Sequence, residues 1–342
     1  MKVMIGVDPH KGSHTAVAID GNEEEVGRLK VRASAGQVDR LLAWAEPHPQ
    51  RAWAVESAGG WGYLLSQQLL AAGEEVLDVP AVLAARVRLL GSGRSNKNDP
   101  NDARSVAIAA MRAPGIASVA RTDHRGVLRL LANRYDNISR ARNRTALRLH
   151  TLLAQLVAGG IAGVISATRA EAMLAEVTPA TPVEATRKDM ALEHLDDLRR
   201  FDTQLKASRA RLRDAVAASG TQLTDLYGVG PVVAATVIGH TGDVRRFKSR
   251  DAFATYSGTA PIELSSGGRV VHRLSLRGNR KLNHAIHIVA IVQVRHHDST
   301  GRAYYERKLA EGKTSKEALR SLKRRISDAV YRQLLAEAST PS

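Results

Sequence analysis

Residues 3–19, VMIGVDPHKGSHTAVAI, contain the pattern that decides the fold of the first part of the chain. The apolar runs at 3–7 and 14–19 are short and rich in strand-favouring residues, which predicts two strands. Residues 9–13 between them are polar and include Pro and Gly, which predicts a turn. Asp8 follows the first run directly, so the sequence predicts a carboxylate at the end of a buried strand.

Strands and helices alternate after this opening pair. A third strand, at 26–31, is predicted after the turn signal at 20–22, and it completes a meander. The predicted segments that follow are helix 37–44, strand 52–55, helix 63–72, strand 75–79 and a helix from Ala81. This order predicts an α/β domain with a ribonuclease-H-like sheet.

Four carboxylates stand at the ends of these elements: Asp8, Glu56, Asp99 and Asp102. Glu56 closes an apolar run, as Asp8 does. Asp99 and Asp102 are three residues apart at the start of a predicted helix that runs to about Met111, so they share one helix face. Oxygen ligands in this arrangement can converge on a divalent cation such as Mg²⁺ or Mn²⁺.

Each acid also has a local structural explanation. Asp8 precedes a proline and can initiate a turn. Glu56 can be an acid near a helix N-terminus. Asp99, also before a proline, is suited to cap its helix, with Asp102 completing a pair like a capping box. Spacing alone therefore leaves metal binding and capping both open.

Basic charge is concentrated after the first third of the chain. The net charge is +16, from 50 Lys and Arg against 34 Asp and Glu. Residues 1–110 contribute 12 of these bases and 13 of these acids, so the remainder carries 38 against 21, a net charge of +17. Such an excess attracts polyanions by neutralisation and counterion release, which favours nucleic acid as the partner. An acidic protein or a solvated surface would use the same charge.

Several classes of protein are excluded by what the sequence lacks. Cysteine is absent, which excludes disulfides, thiolate zinc sites and cysteine nucleophiles and fits a reducing cytoplasm. No apolar run approaches the ~18 residues that a membrane span needs, and the N-terminus does not resemble a signal peptide. The phosphate-binding motif GxxxxGK[ST] is also absent, which argues against an ATP-driven motor. A soluble cytoplasmic protein is therefore predicted.

Two long helical segments follow the first domain, at 127–157 and 190–218. Each has an apolar face, and the first carries many arginines on its other face. They predict an antiparallel helical pair or a coiled-coil stalk. The predicted domains are 1–118, 119–218 and 219–342.

A Gly-Val-Gly sequence at 228–230 lies between two predicted helices, in the form of a helix-hairpin-helix. The glycines allow a tight turn, and the amides at the next helix N-terminus can hold a phosphate. An ordinary helix–helix turn is the alternative. The predicted nucleic-acid-binding residues here are Gly228, Gly230, Arg245, Arg246 and Lys248.

Ser266 lies in a predicted β-hairpin or loop at 263–273. A serine that attacks a phosphate needs cations or bases to stabilise the developing charge, and Arg269, Arg273 and Arg277 are near enough in sequence to help. Arg269 and Arg273 are included among the predicted nucleic-acid-binding residues. On local sequence alone, Ser266 is an ordinary turn serine.

The histidines form no recognised metal-binding motif. His10 and His14 flank the first turn, and His284 and His287 are three residues apart in a predicted helix. All four are predicted to be exposed polar residues or contacts to nucleic acid.

The motifs taken together resemble a known family. They are IGVDPHK at 5–11, VESAG at 55–59, NDPNDA at 98–103 and SSGG at 265–268. In this order and spacing they resemble the DEDD transposases of the insertion-sequence family numbered one hundred and ten, which are bridge-RNA-guided serine recombinases. The resemblance covers essentially the whole chain. It implies an α/β RuvC-like N-terminal domain, a long helical stalk and a mainly α C-terminal transposase domain.

The resemblance also implies roles for single residues. Asp8, Glu56, Asp99 and Asp102 would hold Mg²⁺ or Mn²⁺, and Ser266 would form a covalent phosphoserine link to DNA. The partners would be donor and target DNA and a noncoding bridge RNA. The protein would act as a homo-oligomer, a dimer or tetramer with active sites shared between subunits, in the bacterial cytoplasm at the nucleoid.

Two other functions fit the same residues. A RuvC-like nuclease or Holliday-junction resolvase would use a metal-bound water and form no covalent intermediate. A non-catalytic nucleic-acid-binding protein would use the acids only as caps. An actin-like sugar kinase shares the opening pattern of strands, but the basic remainder of the chain argues against it.

Overall fold

The chain forms two compact units, residues 1–122 and residues 123–342. The computed structural model describes residues 2–90, 98–266, 269–274 and 278–339; of residue 90 and of residues 261–266 and 269–274 it describes the backbone alone. The three-domain division at 1–118, 119–218 and 219–342 stays a prediction.

The first unit is built on a six-stranded sheet in the order β3-β2-β1-β4-β5-β6. Its strands are β1 (Val3–Pro9), β2 (Ser13–Ile19), β3 (Glu25–Arg32), β4 (Arg51–Glu56), β5 (Val76–Val79) and β6 (Ala117–Ser118). The first three form an antiparallel meander, and β4 and β5 run parallel to β1 on its other side. The predicted α/β sheet is therefore confirmed, whereas the short strand β6 is not predicted by the sequence.

Helices cover both faces of this sheet. They are α1 (Gln37–Ala45), α2 (Tyr63–Ala71), α3 (Ala81–Leu90) and α4 (Asp99–Arg112). Because side chains alternate along a strand, Ile5 and Val7 of β1 face one side, where they pack with Leu41 of α1 and Leu65 of α2. The other face is covered by α4, whose small residues pack on β2 and β4.

Helix α4 approaches β1 closely at Gly6. A Cβ atom at Gly6 would lie 2.0 Å from the Ala103 carbonyl oxygen and 2.6 Å from the Ala107 amide nitrogen. A strand position that faces another backbone this closely admits only glycine. Ala103 and Ala107 are fully buried at the contact. Small residues on both elements therefore set the spacing between α4 and the sheet.

The second unit is mainly helical. Its elements are α5 (His124–Leu156), α6 (Ala167–Ala175), α7 (Pro182–Ala218), α8 (Pro231–Thr241), α9 (Arg250–Tyr256), the strands β7 (Pro261–Ser266) and β8 (Arg269–Leu274), α10 (Arg280–Arg295), α11 (Thr300–Ala310) and α12 (Ser315–Ser339). Among the described residues, no helix combines the length and apolar character needed to cross a bilayer.

The long helices α5 and α7 pack against each other along their apolar faces. Side-chain hydrogen bonds join Arg134 to Gln204, Arg142 to Asp202 and Gln155 to Arg187. The paired numbers run in opposite directions, so the two helices are antiparallel, as predicted. The coiled-coil interpretation of this pair stays a prediction.

Helix α7 begins eight residues before the predicted start at Met190. Thr181 caps it by accepting a hydrogen bond from the Glu184 amide, and the Glu184 carboxylate accepts one from the Ala180 amide. This reciprocal pair starts the helix at Pro182 although its first turns carry little apolar sequence. The short helix α6 is also missing from the prediction.

Helix α7 ends at Ala218, before the Gly-Val-Gly turn. Between them lies a single 3₁₀ turn at Leu223–Asp225. Gly228 has a φ of +85°, a conformation that favours glycine, and Gly230 is the N-cap residue of α8. The helix-hairpin-helix interpretation stays a prediction. The hairpin predicted around Ser266 is confirmed, because β7 and β8 pair antiparallel.

The Gly6 contact predicts a large loss of stability in Gly6→Ala. The added methyl group overlaps the α4 backbone, which cannot move away as a flexible side chain would. We expect the free energy of unfolding to fall by about 1–3 kcal/mol, measured by denaturant unfolding. The control is Gly12→Ala, because a Cβ atom there meets nothing within 4 Å. Equal stability of the two variants would contradict the packing described here.

Candidate functional site

Asp8 and Glu56 meet at one edge of the sheet because β1 and β4 are parallel neighbours. The register pairs Val7 with Val55, so the next residue of each strand lies side by side. The two carboxyl groups are near enough for Asp8 to raise the pKa of Glu56. Asp8 is buried within β1, so it does not initiate a turn. Glu56 is half-buried at the end of β4, and the next helix begins only at Tyr63, so Glu56 is not an acid of a helix first turn. Both local explanations are therefore wrong.

Asp99 and Asp102 reach the same place from the first turn of α4. Asn98 is the N-cap residue of this helix, and its side-chain oxygen accepts a hydrogen bond from the Asn101 amide at 2.9 Å. Asp99 therefore does not cap α4, and the capping interpretation is wrong. Because the Asn98 side chain provides the N-cap hydrogen bond, the carboxylates of Asp99 and Asp102 are not needed as caps and can face the strand ends.

Basic side chains contact this acidic cluster. His10 Nε2 lies 2.9 Å from Asp8 Oδ2 and 3.8 Å from Asp99 Oδ1. The other ion pairs are Lys30 Nζ with Asp99 Oδ2 at 2.8 Å and Arg88 with Asp102. The structure thus brings all four predicted acids together and adds three basic residues that hold them.

The sequence does not predict that these basic residues belong to the site. His10 is correctly expected to be exposed, with 54% of its side chain accessible, but it also bridges two of the acids. The signal was its position two residues after Asp8. His14 is not exposed, because it is buried and bonded to Gln37 Oε1 at 3.0 Å. That expectation was wrong because His14 is part of β2, whose neighbours cover it.

One row of side chains crosses the sheet at this edge. Pairing of Asp8 with Thr15 and of Thr15 with Lys30 places these three residues side by side, with Glu56 on the far side of Asp8. The Thr15 hydroxyl is buried and has no hydrogen-bond partner among the described residues. Only the strand register reveals that Lys30 belongs to this row.

Burial and mutual repulsion change the acidity of the two strand-end acids. Burial raises the pKa of Asp8, and the charges of Asp102 and Asp99 raise it further, while His10 acts in the opposite direction. Burial also raises the pKa of Glu56, with further contributions from Asp8 and Asp102. The hydrogen bond from Lys30 lowers the pKa of Asp99. The fold therefore concentrates negative charge at a point where ionisation is unfavourable.

These residues fit a divalent cation. Ligand atoms of Asp8, His10 and Asp99 all lie within 4.8 Å of one another. A divalent cation would relieve the repulsion that raises the pKa of Asp8 and Glu56. Carboxylate oxygens are the ligands that Mg²⁺ and Mn²⁺ prefer, and the single imidazole is also compatible with Mn²⁺.

Three residues of the second unit that were predicted to act on nucleic acid lie in the β7–β8 hairpin. Ser266 and Arg269 are paired across the β7–β8 hairpin, and Arg273 lies further along β8. Their side chains lie outside the described residues, as does Arg277. Their predicted roles stay predictions.

The basic residues after α8 have local partners. Arg245 is paired with Asp243 at 2.8 Å, and the Arg246 guanidinium lies over the rings of Phe247 and Tyr256 at 4.3 and 4.4 Å. Lys248 is exposed. These contacts leave part of each cation accessible, so binding of nucleic acid here stays a prediction, as it does for Gly228 and Gly230.

The raised pKa of Glu56 predicts that Glu56→Gln stabilises the protein at neutral pH. A carboxylate whose pKa is raised by folding lowers the free energy of unfolding as pH rises through the interval between its ordinary and its raised pKa. Removal of the charge removes this penalty, so we expect a gain of about 0.5–2 kcal/mol at neutral pH. The gain disappears near pH 4 and below, where the wild-type side chain is protonated.

Denaturant unfolding at both pH values measures this effect. The matched control is Glu75→Gln, because Glu75 forms an exposed ion pair with Lys2 and such pairs contribute little. A Glu56→Gln variant that is less stable than the wild type at neutral pH would contradict the electrostatic description of the site.

Comparisons with known proteins show which families and relatives this sequence matches. A DEDD transposase family model of the IS110 group matches residues 5–158, and a model described as "Transposase IS116/IS110/IS902 family" matches residues 220–306. The 44.8 kDa protein of insertion element IS116 from Streptomyces clavuligerus is 26% identical over 97% of this chain and 94% of its own length. The 42 kDa protein of insertion element IS900 from Mycobacterium paratuberculosis is 25% identical over 97% and 95%.

Among solved structures, RuvC from T. thermophilus in complex with a Holliday junction substrate matches 35% of this chain and 100% of its own, with 16% identity and a TM-score of 0.29. The two family models match both units of the chain, and the first includes all four acids of the cluster. The chain therefore belongs to the IS116/IS110/IS902 family of transposases.

Proposed function

We propose that this transposase cuts and rejoins DNA at an acidic site formed by Asp8, Glu56, Asp99 and Asp102. The observation that carries the proposal is the convergence of these four carboxylates from two strand ends and one helix turn. Capping or turn formation does not explain their positions. Membership of a transposase family favours an enzyme over the non-catalytic alternative.

A divalent cation is implied by the family and suits the donor set, and we propose Mg²⁺ or Mn²⁺. When bound, the cation stabilises negative charge on the oxygens of a phosphodiester under attack. Asp8 and Glu56 at the ends of β1 and β4, together with Asp99 and Asp102 in the first turn of α4, would hold it. Lys30, His10 and Arg88 fix the carboxylates in position before the substrate arrives.

Ser266 is the proposed nucleophile. Its oxygen would form a bond to phosphorus while the bond from phosphorus to the leaving deoxyribose oxygen breaks; the serine loses a proton and the leaving oxygen gains one. The number of phosphodiester linkages is conserved, so a second strand can reverse the step and rejoin the DNA. Arg269 and Arg273 would offset the negative charge that develops at the phosphate.

The partners proposed are donor and target DNA and a bridge RNA that supplies sequence choice by base pairing. The net charge of +17 after residue 110 supports binding of such polyanions. The acids and Ser266 belong to different units, which is compatible with a homo-oligomer, a dimer or tetramer, whose active sites are shared. The proposed location is the bacterial cytoplasm, at the nucleoid.

A metal-dependent nuclease or junction resolvase is the second candidate. The observation that favours it is that all four acids lie in the first unit and form their cluster without Ser266. In that case a water molecule would attack the phosphodiester, and no bond between protein and DNA would form. The two candidates therefore differ in a covalent intermediate.

Trapping that intermediate tests the proposed function. Wild-type protein incubated with DNA of the element junction and Mg²⁺ or Mn²⁺ is expected to yield a protein–DNA adduct that survives denaturing electrophoresis. Ser266→Ala abolishes the adduct, and Asp8→Asn reduces it by at least about 100-fold because charge stabilisation is lost. Ser265→Ala, the matched control, retains it. An adduct that persists in both serine variants would refute the serine mechanism, and cleavage without an adduct in the wild type would identify the nuclease.

The guide RNA has a separate test. We expect one RNA species encoded beside the gene to co-purify with the wild-type protein, because a bridge RNA would remain bound through many phosphate contacts. Sequencing the bound RNA measures its enrichment over total cellular RNA. Bound RNA that merely reflects cellular abundance would contradict guidance, and it would leave the adduct experiment unaffected.

A further inference from the structure

A basic groove in the second unit is lined by residues to which the proposed function gives no role. It is a cavity of about 460 Å³ formed by the turn before α8 and by α10, α11 and α12. The name basic groove refers here to Tyr227, Tyr304, Arg307, Arg325 and Arg332 and the apolar surface between them. The groove is open to solvent, and its size is within the roughly 300–1,000 Å³ of small-ligand pockets.

The floor of the groove is apolar. Val289 of α10 and Leu322 and Ile326 of α12 line it, and all three are buried members of the core of this unit. Gly301 of α11 also lines it, at a point where a Cβ atom would overlap the Gln293 side chain of α10. The floor is therefore rigid, because it is the outer surface of packed helices and not a loop.

The walls are strongly basic. Arg307, Arg325 and Arg332 line the groove, and no carboxylate is among its described lining residues. Arg325 and Arg332 form no ion pair within the part of the chain that the structure describes, whereas Arg307 lies 3.8 Å from Glu311. Unpaired cations around a concave apolar surface focus a positive potential there, which attracts phosphate groups.

Aromatic rings stand among these cations. Around Tyr304, the guanidinium carbons of Arg325 and Arg307 lie 4.8 and 5.1 Å from the ring centroid, and Lys308 Nζ lies 5.5 Å from it. Tyr227, in the turn before α8, also lines the groove; it is 48% exposed and makes an edge contact with His296. Flat rings beside accessible guanidinium groups provide stacking surfaces next to phosphate-binding groups.

We propose that the basic groove binds an unpaired segment of DNA. A strand without a partner can stack its bases on Tyr227 and the apolar floor while its phosphates contact the arginines. A duplex hides its base faces, and an acidic peptide would use the charges without using the exposed ring. The inference rests on the proposed action on DNA, since cutting and rejoining releases strand ends that must be held.

Binding of a labelled oligonucleotide tests this inference. The probe is a fluorescein-labelled oligothymidylate of about 10 nucleotides, within the roughly 4–16 nucleotides that a single-strand-binding domain covers. Fluorescence anisotropy with the full-length protein measures Kd at several salt concentrations. For Arg325→Ala/Arg332→Ala we expect Kd to rise at least about tenfold. The magnitude of the slope of log K against log salt should fall by about 1.4, because each of the two lost phosphate contacts accounts for about 0.7.

The control is Lys316→Ala/Arg320→Ala, which removes two exposed cations of the same helix outside the groove. Thermal denaturation checks that both double variants fold. Equal loss of binding in the two would show attraction by overall charge and would overturn the proposal. A second pair of variants tests stacking. Tyr227→Ala weakens binding at least about fivefold, and Tyr227→Phe retains it.

Competitors identify the occupant. Unlabelled duplex DNA, oligouridylate and polyglutamate are each added to the labelled complex. Tighter binding of any of the three than of the unlabelled oligothymidylate would overturn the assignment to unpaired DNA. Asp8→Asn separates this result from the proposed function, because it should bind the oligonucleotide as the wild type does while losing adduct formation. Persistent adducts in Asp8→Asn would refute the proposed role of the acids and leave the groove result standing.

Discussion

The close contact between β1 and α4 at Gly6 is the constraint on which the site depends. Asp8 lies two residues after Gly6 on the same face of the strand. On the helix, Asp99 lies one turn before the contact residue Ala103, and Asp102 directly precedes it. A side chain at Gly6 would separate the helix from the sheet and carry two of the four acids away from the other two. Backbone packing between small residues therefore sets the spacing of the charges.

The acidic cluster is costly to the folded protein. Burial and repulsion raise the pKa of Asp8 and Glu56, which means that the folded state resists their ionisation at neutral pH. Lys30, His10 and Arg88 offset part of this cost. A divalent cation would offset the unfavourable ionisation of these acids, and such concentrations of unfavourable charge are typical of functional sites.

The second unit contributes a different kind of chemistry. Its basic charge, its glycine turn before α8 and its aromatic and arginine residues along α11 and α12 suit contacts with nucleic acid. The first unit has nearly balanced charge and carries the acids. Under the proposed function, the acids of the first unit and Ser266 of the second unit share the chemistry, whereas most of the basic charge that attracts the substrate lies in the second unit.

The sequence alone determined the alternation of strands and helices, the four acids and the family, since these follow from local apolar patterns and from motifs in a fixed order. It did not determine which explanation of the acids was right, because capping and metal binding use the same residues at the same spacing. The tertiary structure ruled out capping by Asp99 because Asn98 is the N-cap residue, and metal binding by the acids stays a proposal. It alone placed Lys30, Arg88 and the basic groove, because strand register and helix packing join residues that the sequence keeps far apart.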